Sequence, residues 1–492
     1  MSGEWSLTSP APIRPGFYIT FQTIGAPGAA GGPFGTVGMP IVADWGPINE
    51  FTTIRTVDEL DAAFGEDVGT GAATTHLVRE ALIGGASAVK VYRLDDGTAA
   101  KSSVTLVDQT GGTPLTLILT AKHEGIRPGP SGQGGGWTAT VRASPVGSGT
   151  THHDLIIYEG TRLLEKYTFV KTDAAGLRAD ITANSAYVDV SGTATTTFGT
   201  SLVLVTGSAF SAGDSGTSVV AADYTDAQDA FEREGGFDVF SLDGVSTDAI
   251  VEAAAEWAIN LNALGNYTML VVGGAAAETA SAAVTRTLDY DSEFVVSIHG
   301  DHFLTLRDDT EDERGSSMLS PRIAGMIAAA GTTGSITRGE IPGVRIKTPN
   351  TKEEAEELIQ GGVISLYKRG TVTIVEDGVT SFTSFTDDKD ETFATISNVR
   401  VMQQMGMDLN EIFETKFLGK IRNTEAARQS VKAAIESYLK TLEAKSVLIN
   451  GSTVALDTRY TNTGHSIYLS VNIQFALELK KILVGVRAPA FA

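Results

Sequence analysis

The chain has 492 residues, of which 59 are acidic and 37 basic, giving a net charge of −22, and it contains no cysteine. Its length exceeds that of one hydrophobic core and predicts roughly two to four domains. The lack of cysteine excludes disulfides, thiolate metal sites and cysteine nucleophiles, and an acidic balance without any block of lysine or arginine argues against nucleic acid as a partner.

The first predicted element is a short strand near the N-terminus. Apolar and polar side chains alternate there after a proline-rich segment, and the residues that we assign to the strand are Phe17, Tyr18, Ile19 and Phe21. No neighbouring segment offers a hairpin partner. An unpaired strand edge is either covered within the subunit or used to dock another chain, so both pairings remain open for residues 1–24, which we call the N-terminal arm.

Residues 25–94 are predicted to form a small α/β segment that joins the core. Thr56 and Glu59 have the spacing of a capping box at the start of a helix, and Gly65 is placed to end it. The other predicted elements of this segment are a strand over residues 37–43, a helix over 75–83 and a strand over 88–93.

Residues 95–222 differ in composition from the rest of the chain. Threonine, serine and glycine dominate, and the apolar runs are short, as is typical of strands joined by turns. We therefore predict an inserted all-β domain, called the insertion below. We expect it to face outward and to contribute little to assembly, because it offers few long apolar faces.

Helical periodicity returns in residues 223–350, which we predict to be an α/β core. Strands that alternate with helices along the chain pair mostly in parallel. The predicted strands cover residues 238–242, 269–272 and 294–298, and the predicted helices cover 247–264 and 275–288. The fold class is therefore a multidomain α/β protein with a mostly parallel core sheet, an inserted all-β domain and extended terminal strand arms.

Residues 351–476 are predicted to form a C-terminal α/β domain. A helix over 352–360 has a capping box of Thr351 and Glu354, and a longer helix covers about 424–444. Apolar residues then alternate with polar ones over 467–475, which predicts a strand. Residues 477–492, the C-terminal arm, carry an apolar run that predicts a last strand containing Ile482, Leu483, Val484 and Val486.

Motifs that would indicate enzymatic chemistry are incomplete. The segment 213–216 is similar to the serine segment of trypsin-like proteases, but no triad accompanies it. Gly273 and Gly274 follow a strand as a phosphate-binding turn would, but the full glycine spacing is missing. The segment 299–302 and the acidic runs 308–313 and 387–391 lack metal-site spacing. We interpret the Gly273-Gly274 pair as a tight strand-to-helix turn and the other segments as loops, and we predict no catalytic residue, cofactor or metal.

Targeting and membrane signals are also missing from the sequence. No apolar run approaches the ~20 residues that a membrane-spanning helix needs, and residues 1–15 have no basic region followed by an apolar stretch. We therefore expect a protein that is made in the cytoplasm and has no membrane partner.

Several segments, in order and along nearly the whole chain, resemble contractile phage tail sheath proteins, including those of defective prophages and phage-tail-like bacteriocins. In the N-terminal half the similar segments are residues 14–18, 64–65, 84–86, 91–93, 121–125 and 158–165. In the C-terminal half they are residues 323–328, 335–337, 341–344, 376–383, 400–401, 417–420 and Asn423. The chain departs from the family pattern at 127–136, where a longer Gly/Pro loop replaces a Gly-Asn pair.

The resemblance implies a structural protein of a virion tail or tail-like particle, assembled in the host bacterial cytoplasm. Such subunits stack as hexameric rings around a rigid inner tube, and their arms add strands to the sheets of neighbouring copies. The implied partners are other copies of the chain, the tail tube protein, and baseplate and tail terminator proteins. Contraction then requires no nucleotide or cofactor, because the work is stored at assembly.

A surface for the inner tube can be sought in the charges of the long helix after Asn423. It carries Arg428, Lys432 and Lys440 in an otherwise acidic chain, so it is our candidate for the tube-facing element, and a solvated helix face is the alternative. Two other classes of protein also remain open. One is another self-assembling shell, such as a surface-layer lattice, and the other is an α/β hydrolase or nucleotide-binding enzyme.

Overall fold

A computed structural model of the chain describes residues 2–4, 17–19, 35–67, 71–132, 135–146, 151–307, 309–387, 389–460, 462, 464–478 and 480. The strands are β1 (Ser2–Glu4), β2 (Phe17–Ile19), β3 (Thr36–Ile41), β4 (Phe51–Ile54), β5 (Ala88–Arg93), β6 (Ser103–Val107), β7 (Thr116–Ala121), β8 (Trp137–Ala143), β9 (His152–Glu159), β10 (Arg162–Val170), β11 (Val188–Ser191), β12 (Val205–Ala209), β13 (Val239–Ser241), β14 (Met269–Gly273), β15 (Val295–Ile298), β16 (His302–Thr305), β17 (Glu311–Arg314), β18 (Val344–Ile346), β19 (Val363–Ile364), β20 (Leu366–Arg369), β21 (Val372–Val375), β22 (Thr453–Leu456) and β23 (Leu469–Asn472). The helices are α1 (Val57–Phe64), α2 (His76–Gly84), α3 (Ala174–Asn184), α4 (Ala221–Glu234), α5 (Asp248–Ala263), α6 (Ala280–Leu288), α7 (Ser320–Ala330), α8 (Lys352–Gln360), α9 (Ile396–Lys416) and α10 (Glu425–Ala444).

The chain divides into two compact units, the first made of Met1–Gly38, Glu80–Val89 and Gln228–Ala492. Its main sheet has the strand order β19-β15-β14-β13-β3, and the four pairs in this series are parallel. Helices α5 and α6 connect successive strands, as parallel pairing requires. The predicted α/β fold with a mostly parallel sheet is therefore confirmed.

Helix α7, which contains the matched segment 323–328, packs against this sheet. A Cβ atom at Gly325 would lie 2.1 Å from the carbonyl oxygen of Ala81, so glycine allows α7 to approach α2 closely. The guanidinium of Arg322 forms a buried ion pair with Glu80, and each side chain is only 2% exposed. This pair fixes α7 to α2 inside the unit.

The second unit comprises Met39–Arg79 and Lys90–Ala227. Within it β3, β5 and β4 are neighbours in that order, and the insertion forms two further sheets, β10-β9-β8-β12 and β11-β7-β6. Their strands pair antiparallel, and the two sheets share a core that includes the fully buried Trp137 and Leu155. Trp45, from outside the insertion, packs edge-on to Trp137 at 5.6 Å between ring centroids.

The predicted helix caps at Thr351 and Thr56 are both present, but only the first is a complete capping box. Thr351 and Glu354 form a complete capping box at the start of α8, and Gly361 follows the helix as its C-cap. Thr56 caps α1 by accepting a hydrogen bond from the Glu59 amide. The Glu59 carboxylate, however, accepts from the amide of Arg55 rather than from that of the cap residue, so this box is incomplete.

Among the residues that the structure describes, α3, α4 and α9 were not predicted, whereas α7 contains the segment 323–328 that resembles a helix of the sheath family. The insertion contains α3, which the prediction of an all-β domain did not include: Asp173 caps it, and Ala174, Leu177 and Ile181 bury one face. Helices α4 and α9 were also missed. In α9 the signal was present, since Val401, Met405, Leu409 and Phe413 recur every four residues and all are buried.

Two predicted elements are shorter in the structure. Helix α6 begins at Ala280 rather than at residue 275, because Thr279 caps it by accepting a hydrogen bond from the Ala282 amide. The alternating segment 467–475 is a strand only over β23, although its apolar residues all pack against the core that α9, α10 and β22 share.

Candidate assembly surfaces

The N-terminal arm contains the predicted strand, and the structure gives it a partner. Residues Phe17–Ile19 form β2, which confirms the strand over these residues, and Phe21 lies outside the described residues. β2 pairs in parallel with β1, with Tyr18 opposite Gly3. The expectation that this strand has no partner nearby is therefore corrected, because β1 occupies one of its edges within the chain. Addition of β2 to a neighbouring copy stays a prediction.

One carboxylate fixes residues 35 and 36, which are the first described residues after the N-terminal arm. Asp238 Oδ2 accepts hydrogen bonds from the amides of Gly35 at 3.2 Å and Thr36 at 2.9 Å. The main-chain carbonyl of Asp238 in turn accepts a 2.9 Å hydrogen bond from Arg400 of α9. Burial lowers the pKa of Arg400 to about 10, with Asp238 opposing, so the guanidinium stays charged at neutral pH. We call this set the N-terminal root.

The C-terminal arm is anchored in a similar way. Glu478 accepts hydrogen bonds from the hydroxyls of Ser397 at 2.6 Å and Thr337 at 2.8 Å. Two residues on, Lys480 forms an ion pair of 2.6 Å with Asp377. We call these residues the C-terminal root. The predicted strand residues Ile482, Leu483, Val484 and Val486 lie outside the described residues, so their pairing stays a prediction.

A small antiparallel sheet lies next to the C-terminal root in sequence. β22 and β23 pair with Thr453 opposite Asn472 and Leu456 opposite Leu469. Val454 is buried against α10, so one face of the sheet is covered. Within the residues that the structure describes the sheet has two strands, so each strand keeps an outer edge for which no strand partner is present.

Arg428, the first candidate tube-facing cation, takes part in local structure. Its side chain is only 18% exposed and forms an ion pair of 3.0 Å with Glu425 in the first turn of α10. It also donates hydrogen bonds to the Asn423 side chain and to the carbonyl of Asn462. The guanidinium therefore holds the start of α10 to a neighbouring loop.

The other two candidate cations are more accessible. Lys432 is half-buried and forms an ion pair of 3.5 Å with Glu436, one turn further along α10. Lys440 is exposed, and no ion pair involves it in the described part of the chain. The structure therefore does not bring the three cations together as one exposed patch, and Lys440 is the cation best placed to meet another protein.

The serine and glycine motifs have structural roles. The Ser215 hydroxyl is buried, accepts a hydrogen bond from the Ile126 amide at 3.0 Å and donates to the Asp44 carbonyl. Glu278 lies directly against Gly274 and forms an ion pair of 2.8 Å with Arg286. A carboxylate therefore occupies the place where a phosphate would bind to this turn, which agrees with our interpretation of the serine motif as a loop and of the Gly-Gly pair as a strand-to-helix turn.

The histidine motif is buried as well. The interpretation of segment 299–302 as a loop is wrong for His302, which lies within β16 with no exposed surface, and His299 is only 7% exposed. Residues 311–313 of the first acidic run likewise lie within β17 and not in a loop. Among the residues that the structure describes, no group of three or more His, Asp or Glu side chains is arranged to hold a metal ion. Nor does any helix in these parts of the chain have the length and apolar character to cross a membrane.

Three family models match the chain in order. The model described as "Tail sheath protein Gp18 domain III N-terminal region" matches residues 35–94. Those described as "Phage tail sheath protein central domain" and "Phage tail sheath C-terminal domain" match residues 217–381 and 388–488. Together the three cover about two thirds of the chain, including both arm roots.

Relatives and solved structures agree with these matches. The tail sheath protein of Clostridium phage phiCD119 is 25% identical over 179 residues, which are 36% of this chain and 49% of that protein. The sheath tail protein of Desulfitobacterium hafniense has the same fold, with a TM-score of 0.68 and 22% identity over 94% of this chain and 100% of that chain. The helical sheath protein of the anti-feeding prophage was solved in its contracted state. It has a TM-score of 0.52 and 12% identity over 97% of this chain and 99% of that chain. With sheath domain models matched in order along it, the chain belongs to the contractile phage tail sheath proteins, which are structural subunits and not enzymes.

Proposed function

We propose that this sheath subunit polymerises as stacked hexameric rings around an inner tail tube and contracts to drive the tube through the envelope of a target cell. Its partners in this proposal are other copies of the chain, the tail tube protein, and baseplate and tail terminator proteins. The observation that carries the proposal is the pair of anchored arm roots. Glu478 fixes the first part of the C-terminal arm to the core, and Asp238 fixes residues 35–36, which follow the N-terminal arm in sequence, so each arm is continuous with an anchored segment of the chain.

The arms need an acceptor on a neighbouring subunit, and the sheet of β22 and β23 is suited to this role. A two-stranded sheet is marginal by itself and gains main-chain hydrogen bonds when a further strand is added to its edge. Donor arm and acceptor sheet are different surfaces of one chain, so the contact is heterologous and extends into rings and helical arrays.

Contraction is supported by the fold shared with the anti-feeding prophage sheath, which was solved in a contracted helical state. In our proposal, the extended array is kinetically trapped when it assembles around the tube. Subunits then move as near-rigid bodies into an arrangement with more favourable contacts, while the arms keep them connected. The free energy for movement comes from contacts between copies, and no bound nucleotide takes part.

Electron microscopy of the purified chain tests this function. We expect tubes or stacked rings from the full chain. A variant without residues 480–492 should keep its cooperative thermal transition but form no tubes, because the subunit still folds but has lost the arm that joins it to its neighbours. A variant without residues 1–24 should behave in the same way. Normal tubes from either truncated chain would show that the corresponding arm is not a connector.

A further inference from the structure

A basic loop connects α9 to α10. We define it as residues 416–422, that is, the last residue of α9 and the six residues after it, and three of these seven residues are cations, namely Lys416, Lys420 and Arg422. The chain as a whole has a net charge of −22, so this density of positive charge is unusual for it. The loop is therefore a basic segment in a chain that is acidic as a whole.

The basic loop has a fixed conformation. The amides of Phe417 and Leu418 both donate to the Phe413 carbonyl, at 2.9 and 2.8 Å, and the Ile421 amide donates to the Phe417 carbonyl at 3.3 Å. Lys420 turns back and donates hydrogen bonds from its ammonium group to carbonyls in the last turn of α9. The ring of Phe417 packs on that of Phe413 with centroids 5.8 Å apart. A partner would therefore bind a preorganised loop, with little loss of conformational entropy.

This fixed loop presents apolar side chains to solvent. Leu418 is 39% exposed and Ile421 is 43% exposed. Lys416 and Arg422 are exposed beside them, and neither forms an ion pair within the described residues. Exposed apolar side chains on a fixed loop are suited to a protein–protein contact. The flanking cations indicate that the surface in contact with them is acidic.

We propose that the basic loop docks on an acidic surface of a second copy of this chain. This contact rests on the proposed self-assembly and adds to the strand arms a second attachment between subunits. The argument for this occupant is charge complementarity. The chain is itself strongly acidic, and α8 alone exposes Glu353, Glu356 and Glu357. Apolar burial at Leu418 and Ile421 then supplies affinity, and the cations supply orientation.

Cysteine labelling tests whether a second copy covers the loop. Because the chain has no cysteine, the I421C variant carries a single thiol. We expect this thiol to react with a maleimide in monomers and to lose most of its labelling in tubes assembled from this chain alone. The matched control is L163C, at an exposed leucine of the insertion, which should label equally in monomers and tubes.

Three outcomes of the labelling would contradict the proposal. Equal labelling of I421C in monomers and tubes would remove the contact while leaving the proposed sheath function intact. Protection that appears only after purified tail tube protein is added would make the tube the occupant instead of a second copy. Absence of tubes from the unsubstituted chain would contradict the proposed function itself, and this contact with it.

Charge reversal tests the electrostatic part of the contact. The K416E/R422E variant should leave a smaller fraction of the chain in tubes than the unsubstituted protein, with an unchanged thermal transition. The control is R233E/K368E, which changes the net charge equally at exposed cations elsewhere. An equal loss of tubes in the control would show that net charge, and not the basic loop, limits assembly, and would overturn the proposal.

Discussion

The Ser397 hydroxyl donates a 2.6 Å hydrogen bond to the carboxylate of Glu478, and thereby joins the first turn of α9 to the last part of the chain that the structure describes. Thr337 donates to the other carboxylate oxygen at 2.8 Å, so both oxygens of Glu478 are held. Together with the ion pair between Lys480 and Asp377, the Glu478 carboxylate therefore holds the described part of the C-terminal arm against the core.

The Glu478→Ala variant should release the C-terminal root without unfolding the core. Its two hydrogen bonds to a charged acceptor stabilise the root locally by about 1–3 kcal/mol. We expect faster limited proteolysis after residue 470, an unchanged main thermal transition and fewer tubes. Glu357→Ala removes an exposed glutamate on α8 and serves as the control for proteolysis. An unchanged cleavage pattern in the Glu478 variant would mean that other contacts hold the root.

Substitutions in α10 should separate tube binding from stability. Lys440→Glu reverses an exposed charge, so we expect weaker binding to purified tail tube, a smaller dependence of that binding on salt and no change in thermal stability. Arg428→Ala should instead lower thermal stability, because it breaks the contacts with Glu425 and Asn423. Tube binding that is unaffected by Lys440→Glu would remove α10 as the tube-facing element.

The insertion should be replaceable by a short linker. Its ends lie together, since the amide of Asp96 donates to the Gly216 carbonyl at 3.2 Å. Replacing residues 97–215 with a Gly/Ser linker should leave a folded chain that still forms tubes. Stability should fall, because Trp45 packs against Trp137 of the insertion and would become exposed. A polar substitution at Trp45 in the shortened chain should restore its solubility. If neither shortened chain folds, the insertion is not a domain separable from the rest of the chain.

Acid should destabilise the core through His302. Burial lowers the pKa of this imidazole to about 4, with further lowering from Arg322 that Asp301 partly offsets. The unfolded chain therefore binds this proton at about pH 6.5, above the pH at which the folded chain does. The free energy of unfolding is therefore unaffected by His302 above about pH 6.5. It falls as the pH is lowered towards 4, by about 3 kcal/mol in all, because protonation of His302 then favours the unfolded chain.

Denaturant titrations at several pH values measure this effect. The His302→Leu variant should lose the component of the pH dependence between pH 6.5 and 4, whereas the exposed His465→Leu should keep it. A pH dependence that is the same in the His302 variant would assign the acid sensitivity to other groups.

The buried ion pair of Arg322 and Glu80 should matter far more than an exposed one. Arg322→Met removes the cation that is paired with the buried Glu80 carboxylate, so the free energy of unfolding should fall by about 3–5 kcal/mol. Arg369 and Glu340, whose side chains are 54% and 56% exposed, form the control pair. Arg369→Met should cost less than about 1 kcal/mol. Chemical denaturation measures both losses. An equal decrease in the free energy of unfolding for the two variants would contradict the buried placement of Arg322.

The elements that could be predicted are those whose signals are local. The capping box of Thr351 and Glu354 lies within one turn of α8, and the alternation of strands and helices after residue 223 fixes a mostly parallel sheet. The missed helix α9 had a readable four-residue period, whereas α3 was concealed by the surrounding threonine, serine and glycine. These differences concern secondary structure and leave the fold class unchanged.

The arm roots could not be predicted, because they depend on residues that are distant in sequence. Asp238 binds the amide of Gly35 across a separation of 203 residues, and Ser397 binds Glu478 across 81. A single aspartate or glutamate carries no local pattern that indicates such a partner. The charges on α10 suggested one functional face, but the structure places Arg428 in a local network. Sequence could not show this, because charge alone does not indicate which cations are already paired.

The two roots meet on the same part of α9. Ser397 binds the C-terminal root, and Arg400, about one helical turn later, binds the residue that holds the N-terminal root. In a lattice joined by both arms, tension from either neighbour would enter the subunit at this turn. One short stretch of helix would then relay mechanical force from one neighbour to the next, so a subunit could be displaced during contraction with little deformation of its own core.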